Sequence, residues 1–291
     1  MLDFISTFIS GLSLGGVYAM IALGYTMVYG IAKMLNFAHG DIIMVGGYFI
    51  FIFAAQLGFD PVLSVLLSIL LCSLAGMAIE KFAYKPLRGA SPLAVLITAI
   101  GVSYLLQSVA QMIFGTANKP VKLWDLGTLK IGALGVKWST VITLILSAAV
   151  MVGLTAFINN TKTGKAMLAV SEDKGAAQLM GVNVNKTISI TFIIGSALAA
   201  LASMTYILIP VNVSVTMGAM PGIKAFTAAV IGGIGSIPGA MLGGLLLGLI
   251  ETFCLKTPIG SYTTAIEFAI LIVILLVRPT GLIGKKRREK V

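Results

Sequence analysis

Val62-Leu-Ser-Val-Leu-Leu-Ser-Ile-Leu-Leu-Cys72-Ser-Leu-Ala-Gly-Met-Ala-Ile-Glu80 carries no charge before its last residue. As a helix it is apolar on every face and reaches across a hydrocarbon layer of roughly 30 Å. Similar runs recur outward in both directions, near 4–30, 41–57, 92–114, 138–158, 187–209, 223–236, 239–256 and 262–278. The seventh of these nine runs, Ile223 to Ser236, is short for a full crossing. The Gly232-Gly233-Ile-Gly235-Ser-Ile-Pro238-Gly239 stretch breaks any helix there, so it reads as a half-helix.

Of the 291 residues, 58% are hydrophobic and 10% charged, whereas soluble domains carry about 25% charged residues. The expected fold is therefore all-α, a polytopic integral membrane protein of eight to nine transmembrane helices forming a single transmembrane domain over 1–291. The loops are too short to hold a separate catalytic domain. Cys72 and Cys254 fall inside apolar runs and read as small core residues. The apolar run at the N-terminus is longer than a signal-peptide core and has no basic residues before it, so it is expected to stay in the protein.

The formal charge of +10 is read through topology, which makes lipid the expected environment and gives no nucleic-acid partner. One side of the membrane collects Lys81, Lys85, Arg88, Lys162, Lys165, Lys174, Lys186, Arg278 and, in the basic tail 279–291, Lys285, Lys286, Arg287, Arg288 and Lys290. The other side receives Lys119, Lys122, Lys130, Lys137 and Lys256. That bias predicts a cytoplasmic C-terminus and, with nine crossings, an exterior N-terminus. The exterior segment 115–137, with Pro120, Gly127, Gly132 and Gly135, reads as an ordered loop or small hairpin; Trp124 and Trp138 are candidate interface anchors.

An ATP site is not encoded. Thr163-Gly164-Lys165-Ala166 lacks the leading glycine and the final Ser or Thr of a phosphate-cradling loop. His39 is the sole histidine and has no acidic cluster around it, so no metal site, cofactor or catalytic constellation is expected. Glu251 and Glu267 lie within spans, with Asp41 and Glu80 near span ends; each either lines a path or pairs with a neighbouring helix.

Asn36-Phe-Ala-His39-Gly40-Asp41 interrupts the apolar pattern, which resumes through Gly46. Asp41 is positioned to cap the next helix. Such a break is either a tight turn or irregular backbone facing a pathway, since backbone at membrane depth must be satisfied by protein or water. The glycine-rich run at Gly232, Gly233 and Gly235 echoes it. Asn36, His39, Gly40, Asp41, Gly46, Gly232, Gly233 and Gly235 are therefore the candidate path residues. Glycine pairs at 11 and 15, 239 and 243, and 244 and 248 suit close helix packing, within one subunit or across a dimer.

The polar segment 159–187 contains Ser171-Glu172-Asp173-Lys-Gly-Ala176-Ala177-Gln-Leu-Met180-Gly181. Ser171 is expected to cap a short helix whose first turn holds Glu172 and Asp173 and which Gly181 ends. Ala176, Leu179 and Met180 then form an apolar knob, which either packs beneath its own bundle or meets a partner.

This segment resembles the cytoplasmic coupling loop of ABC importer permeases. Together with Asn36-Phe-Ala-His39-Gly-Asp41, Ile231-Gly-Gly-Ile-Gly235 and Arg278-Pro279-Thr-Gly281-Leu, it makes the chain similar to permeases of the branched-chain amino acid/ribose type, specifically those of high-affinity branched-chain amino acid uptake. Lys165-Ala-Met departs from the Arg-rich start found in many relatives. The resemblance implies a bacterial inner-membrane subunit that moves leucine, isoleucine or valine, or another small amino acid, urea or amide. It also implies a second related permease, two cytoplasmic ATP-binding subunits and a periplasmic or lipoprotein amino-acid-binding protein. Lys165, Ala169, Ser171, Glu172, Asp173, Ala176, Ala177, Met180 and Gly181 are the implied ATPase-coupling residues. A stand-alone secondary transporter is the rival.

Overall fold

The computed structural model describes residues 2–284 apart from 125, 126, 132, 133 and 210; Gly132 and the five basic residues at 285–290 of the tail lie outside the described residues. Eight helical segments are long and apolar enough to cross a membrane. They comprise α1 (Leu2–Ala32), α2 (His39–Ile50, continued in a wider turn over Phe51–Gln56), α3 (Pro61–Ile79, continued to Leu87), α4 (Pro92–Phe114), α5 (Trp138–Asn160), α8 (Val184–Ile207), α10 (Ile237–Leu255) and α11 (Thr263–Val277, preceded by a short turn from Gly260). Between α5 and α8 lie α6 (Lys162–Glu172) and α7 (Lys174–Leu179), and α9 is Ala219–Gly232.

Several starts follow one local rule, a polar cap followed by proline. Asp60 accepts from Val62 N at 2.9 Å ahead of Pro61, Ser91 accepts from Ala94 N at 3.3 Å ahead of Pro92, and Ser236 accepts from Gly239 N at 3.2 Å just before Pro238. Proline suits a first turn because the N–H it lacks has no partner there anyway.

The half-helix expected at 223–236 is the 14-residue α9. It still completes a pass, together with the non-helical 211–218 that leads to it. Phe4 at one end of α1 lies 5.3 Å from Phe253 near the end of α10. At the other end, Leu282 N donates to Ile231 O and Ile283 N to Gly232 O. The chain thus makes nine alternating passes among the described residues, and α1 begins at the opposite end of the bundle from where α11 finishes.

Glycines set the closest crossings. Gly11 and Gly15 of α1 face Gly244 to Leu249 of the antiparallel α10, and a Cβ at Gly15 would lie 2.8 Å from Leu245 Cα. Gly239 and Gly243 face Gly232 and Ala228 of α9. All three glycine pairs therefore pack within this chain, where small residues let backbones approach closely. The buried core is shared by α1, α2, α8 and α9, while α4 and α11 leave most of their surface outward.

Away from the Lys- and Arg-rich end, β1 (Lys119–Pro120) pairs antiparallel with β4 (Asn212–Val213), and β2 (Thr128–Ile131) pairs with β3 (Leu134–Lys137). The small hairpin expected in 115–137 is the latter pair. Trp138 opens α5 and is 41% exposed, as an interface anchor requires, whereas Trp124 packs against the core.

Candidate functional site: two interrupted helices and a helix pair at the basic end

α2 does not start at the end of the bundle. His39 packs against Gly24, eight residues before the end of α1, which is about 12 Å at 1.5 Å per residue. Residues 33–38 therefore run back into the bundle before α2 begins. α9 also begins inside, and its first turn meets that of α2: a Cβ at Gly40 would lie 2.6 Å from Gly218 O, and one at Gly222 would lie 2.9 Å from Gly40 Cα. Each break contains a non-glycine residue in the left-handed region, Lys33 at φ 59° and Val211 at φ 54°. That conformation is costly for an L-residue, most of all a β-branched one.

The first break is polar and buried. Asn36 accepts from Tyr84 OH at 2.7 Å, Asp41 accepts from Gln107 Nε2 at 2.8 Å, and the His39 ring lies edge-on to Tyr25 at 4.7 Å. No side chain caps α2; Asp41 binds Gln107 on α4 instead of a backbone N–H of its own first turn. Asn36 Nδ2 and His39 Nε2 are buried without a hydrogen-bond partner. Gly46 lets α2 lie against α8, with Ala200 Cα 3.2 Å from a would-be Cβ, and its carbonyl accepts from Ser68 Oγ at 2.9 Å.

Gly232, Gly233 and Gly235 lie elsewhere. They form the tight turn between α9 and α10 at the basic end, where Gly233 (φ 111°) and Gly235 (φ 92°) take conformations that favour glycine. The second interruption inside the bundle lies between α8 and α9, where an ordinary apolar run ends at 209 and no polar motif marks the break. Pro210, Gly218, Pro221 and Gly222 were the available signal.

Glu251 and Glu267 are paired. Lys224 of α9 donates to Glu251 Oε1 at 2.6 Å and lies 3.2 Å from Glu267 Oε2, and Tyr18 OH donates to Glu251 Oε2 at 2.7 Å. Lys224 lies in the short seventh run and falls in neither group of basic residues that marks the two sides of the membrane. Glu80 is likewise engaged, by Arg88 and by Ser189 Oγ at 2.8 Å.

At the basic end, the helix expected to be capped by Ser171 is capped by Asp173 instead, two residues later, and a separate helix, α6, ends at Glu172, a correction with a clear local cause. Asp173 is extended (φ −152°, ψ 114°) and its Oδ1 accepts from Gly175 N at 2.8 Å and Ala176 N at 3.0 Å, so Asp173 is the cap of α7. Ser171 and Glu172 instead end α6, where Ser171 Oγ donates to Leu168 O at 2.7 Å. Asp and Ser are near-equal caps. Burial of Met167 and Val170 holds the preceding turn in α6 and leaves the break to Asp173. Gly181 (φ 83°) ends α7, with Val182 N donating to Ala177 O at 3.0 Å.

Ala177 faces the bundle at 4% exposure, whereas Leu179 and Met180 are 90% and 84% exposed. Ala176 shares the exposed side, as do Lys165 and Ala169 on α6. Lys174 Nζ donates to Ala32 O at 2.8 Å, fastening α7 to the end of α1. Burial, and then the charge of Arg88, hold the Lys174 ammonium below the usual lysine range.

Nine passes among the described residues, two of them interrupted inside the bundle, and an exposed helix pair at the basic end mark a multi-pass membrane protein. The chain belongs to the family described as branched-chain amino acid transport system / permease component, whose sequence profile matches residues 7–275. It is 41% identical to the high-affinity branched-chain amino acid transport system permease protein BraD of Pseudomonas aeruginosa, over 99% of this chain and 98% of that protein. It is 39% identical to the corresponding LivH proteins of Salmonella typhimurium and Escherichia coli K12, over 100% of this chain and 98% of each relative. The chain is thus a transport component.

Proposed function

We propose that this chain is one of two membrane-spanning subunits of an ATP-driven importer that carries leucine, isoleucine and valine across the bacterial inner membrane, with the C-terminal end of α11 in the cytoplasm. The likeness to BraD along 99% of the chain carries this reading. The charge distribution supports the orientation: Lys81, Lys85, Arg88, Lys162, Lys165, Lys174, Lys186 and Arg278 gather at one end, against Lys119, Lys122, Lys137 and Lys256 at the other.

ATP is hydrolysed on two cytoplasmic partner subunits, and a binding protein outside selects the substrate and delivers it. The exposed Leu179 and Met180 enter a cleft on one ATPase, while the buried Ala177 and the Lys174 bond to Ala32 pass its movement to α1. ATP must favour one orientation of the spans over the other, because a ligand shifts an equilibrium only by its differential affinity. The path runs past Asn36, His39, Gly40, Asp41 and Gly46, with Gly232, Gly233 and Gly235 as the inner pivot.

The test is reconstitution. Vesicles holding this chain, its partner permease and both ATPases, supplied with binding protein, accumulate leucine only with ATP, and this chain alone accumulates none. Accumulation by the chain alone would make it a self-sufficient carrier and overturn the proposal.

A further inference from the structure

At the basic end, beneath the close of α1, lies a cavity of about 400 Å³ bounded by the 33–35 break, the turn between α3 and α4, and the first residue of α7. That is within the range of pockets that hold small organic ligands. Its walls include Tyr29, Leu35 and Val95, and its charged members are Lys33, Arg88 and Lys174; among the described residues lining it there is no Asp or Glu. Glu80, behind the wall, pairs with Arg88. Lys33 Nζ also donates to Gly30 O, Lys174 Nζ to Ala32 O and Arg88 to Asn185 Oδ1, and among the described residues of the lining these three cations are the only charges. The charge of Arg88 already acts on Lys174, and Arg88 Nε is buried without a hydrogen-bond partner.

We propose that this cavity binds an oxoanion, a carboxylate or phosphate group, between Lys33, Arg88 and Lys174. Cations gathered in a low-dielectric cleft focus potential and concentrate anions, and planar guanidinium groups match carboxylate and phosphate oxygens. Tyr29 and Leu35 also line a much smaller void that reaches Asn36. The cavity therefore lies beside the first helix break. Two sources supply the same chemistry there: the carboxylate of an amino acid leaving the bundle, and the headgroup of an anionic phospholipid. Either occupant touches the break through Lys33 and the exposed helix pair through Lys174. The site rests on charge and shape, not on the transport reading, so a failure of powered uptake leaves it standing.

The test places a cysteine at the exposed Ala90 on the rim, Ala90→Cys in a Cys72→Ser/Cys254→Ser background, with the full chain in phosphatidylcholine nanodiscs. Its modification rate is compared for an anionic methanethiosulfonate sulfonate and a cationic trimethylammonium analogue. The anionic reagent is expected to react about tenfold faster relative to a simple thiol. That preference falls toward unity in Lys33→Gln/Lys174→Gln and is regained with Lys174→Arg. Inorganic phosphate is expected to slow the labelling. Protection by L-leucine but not L-leucinol assigns the site to the amino-acid carboxylate, and protection only on adding phosphatidylglycerol assigns it to the lipid. Equal rates for the two reagents, or protection by none of these anions, overturns the proposal. If the double variant does not fold, the reagent preference and the protection in Ala90→Cys decide alone.

Discussion

Lys224 on the half-helix α9 lies 2.6 Å from Glu251 of α10 and 3.2 Å from Glu267 of α11, and so ties three helices together inside an apolar bundle. A shortened helix has little surface with which to anchor itself. The ammonium compensates by spanning two neighbours, and Tyr18 of α1 closes the group through Glu251.

Removing one member of such a group strands the others. Lys224→Met is expected to destabilise the purified chain by about 3–5 kcal/mol. Adding Glu267→Gln costs much less than the two single effects summed, because the carboxylate no longer needs its partner. Unfolding in detergent, followed for the singles and the double, gives the coupling; strict additivity would contradict it.

The α1–α10 crossing depends on the absence of side chains. Gly15→Ala places a methyl group 2.8 Å from Leu245 Cα and is expected to cost about 1–3 kcal/mol through overpacking. Gly153→Ala on α5 points into open space and is expected to gain about 0.5–1 kcal/mol from helix propensity. Thermal unfolding of both variants, compared with the parent, should move in opposite directions.

Val211 is strained and 44% exposed, and its backbone bonds, Val211 N to Ile207 O at 2.8 Å and Val121 N to Val211 O at 3.0 Å, need no side chain. Val211→Gly is expected to raise stability by about 1 kcal/mol, as relief of the left-handed penalty exceeds the added entropy of the unfolded chain. A lower unfolding temperature would mean that the Val211 side chain holds the second break in place.

The two faces of α7 should separate fold from coupling. Leu179→Asp/Met180→Asp leaves the unfolding temperature unchanged while ATPase co-purification and ATP-driven leucine uptake are lost. Ala177→Asp introduces a charge at a buried position and prevents folding. Asp173→Ala costs about 1 kcal/mol through loss of the cap. Full uptake by the double aspartate variant would remove α7 from the coupling path.

A path that takes a zwitterion from a binding protein does not itself require a fixed charge at Asp41. Asp41→Asn is therefore expected to support leucine uptake at the parental rate in the reconstituted complex. Loss of uptake with the complex intact would show that the charge near Gln107 is needed for transport.

Much of the candidate site was legible along the chain. The Asn36–Asp41 break, the short seventh helix and the exposed Leu179 and Met180 each declare themselves through local composition. The start of α7 did not, because Ser171 and Asp173 are caps of similar strength, and burial of Met167 and Val170 decides between them. Nor did the second break, which borders an ordinary apolar run.

That this protein spans a membrane many times can be read along the chain, because a lipid solvent demands an apolar helix of sufficient length from each segment separately. The gathering of most Lys and Arg in alternate loops is legible there too. It takes the folded bundle to bring Gly40 to Gly218 and Gly222, to set Lys224 against Glu251 and Glu267, and to make Gly232 to Gly235 a turn at the basic end while the break before α9 lies within the bundle. These relations join residues far apart in sequence, and they arise from how closely glycine-bearing helices approach and where the few buried charges find partners. No local pattern encodes that.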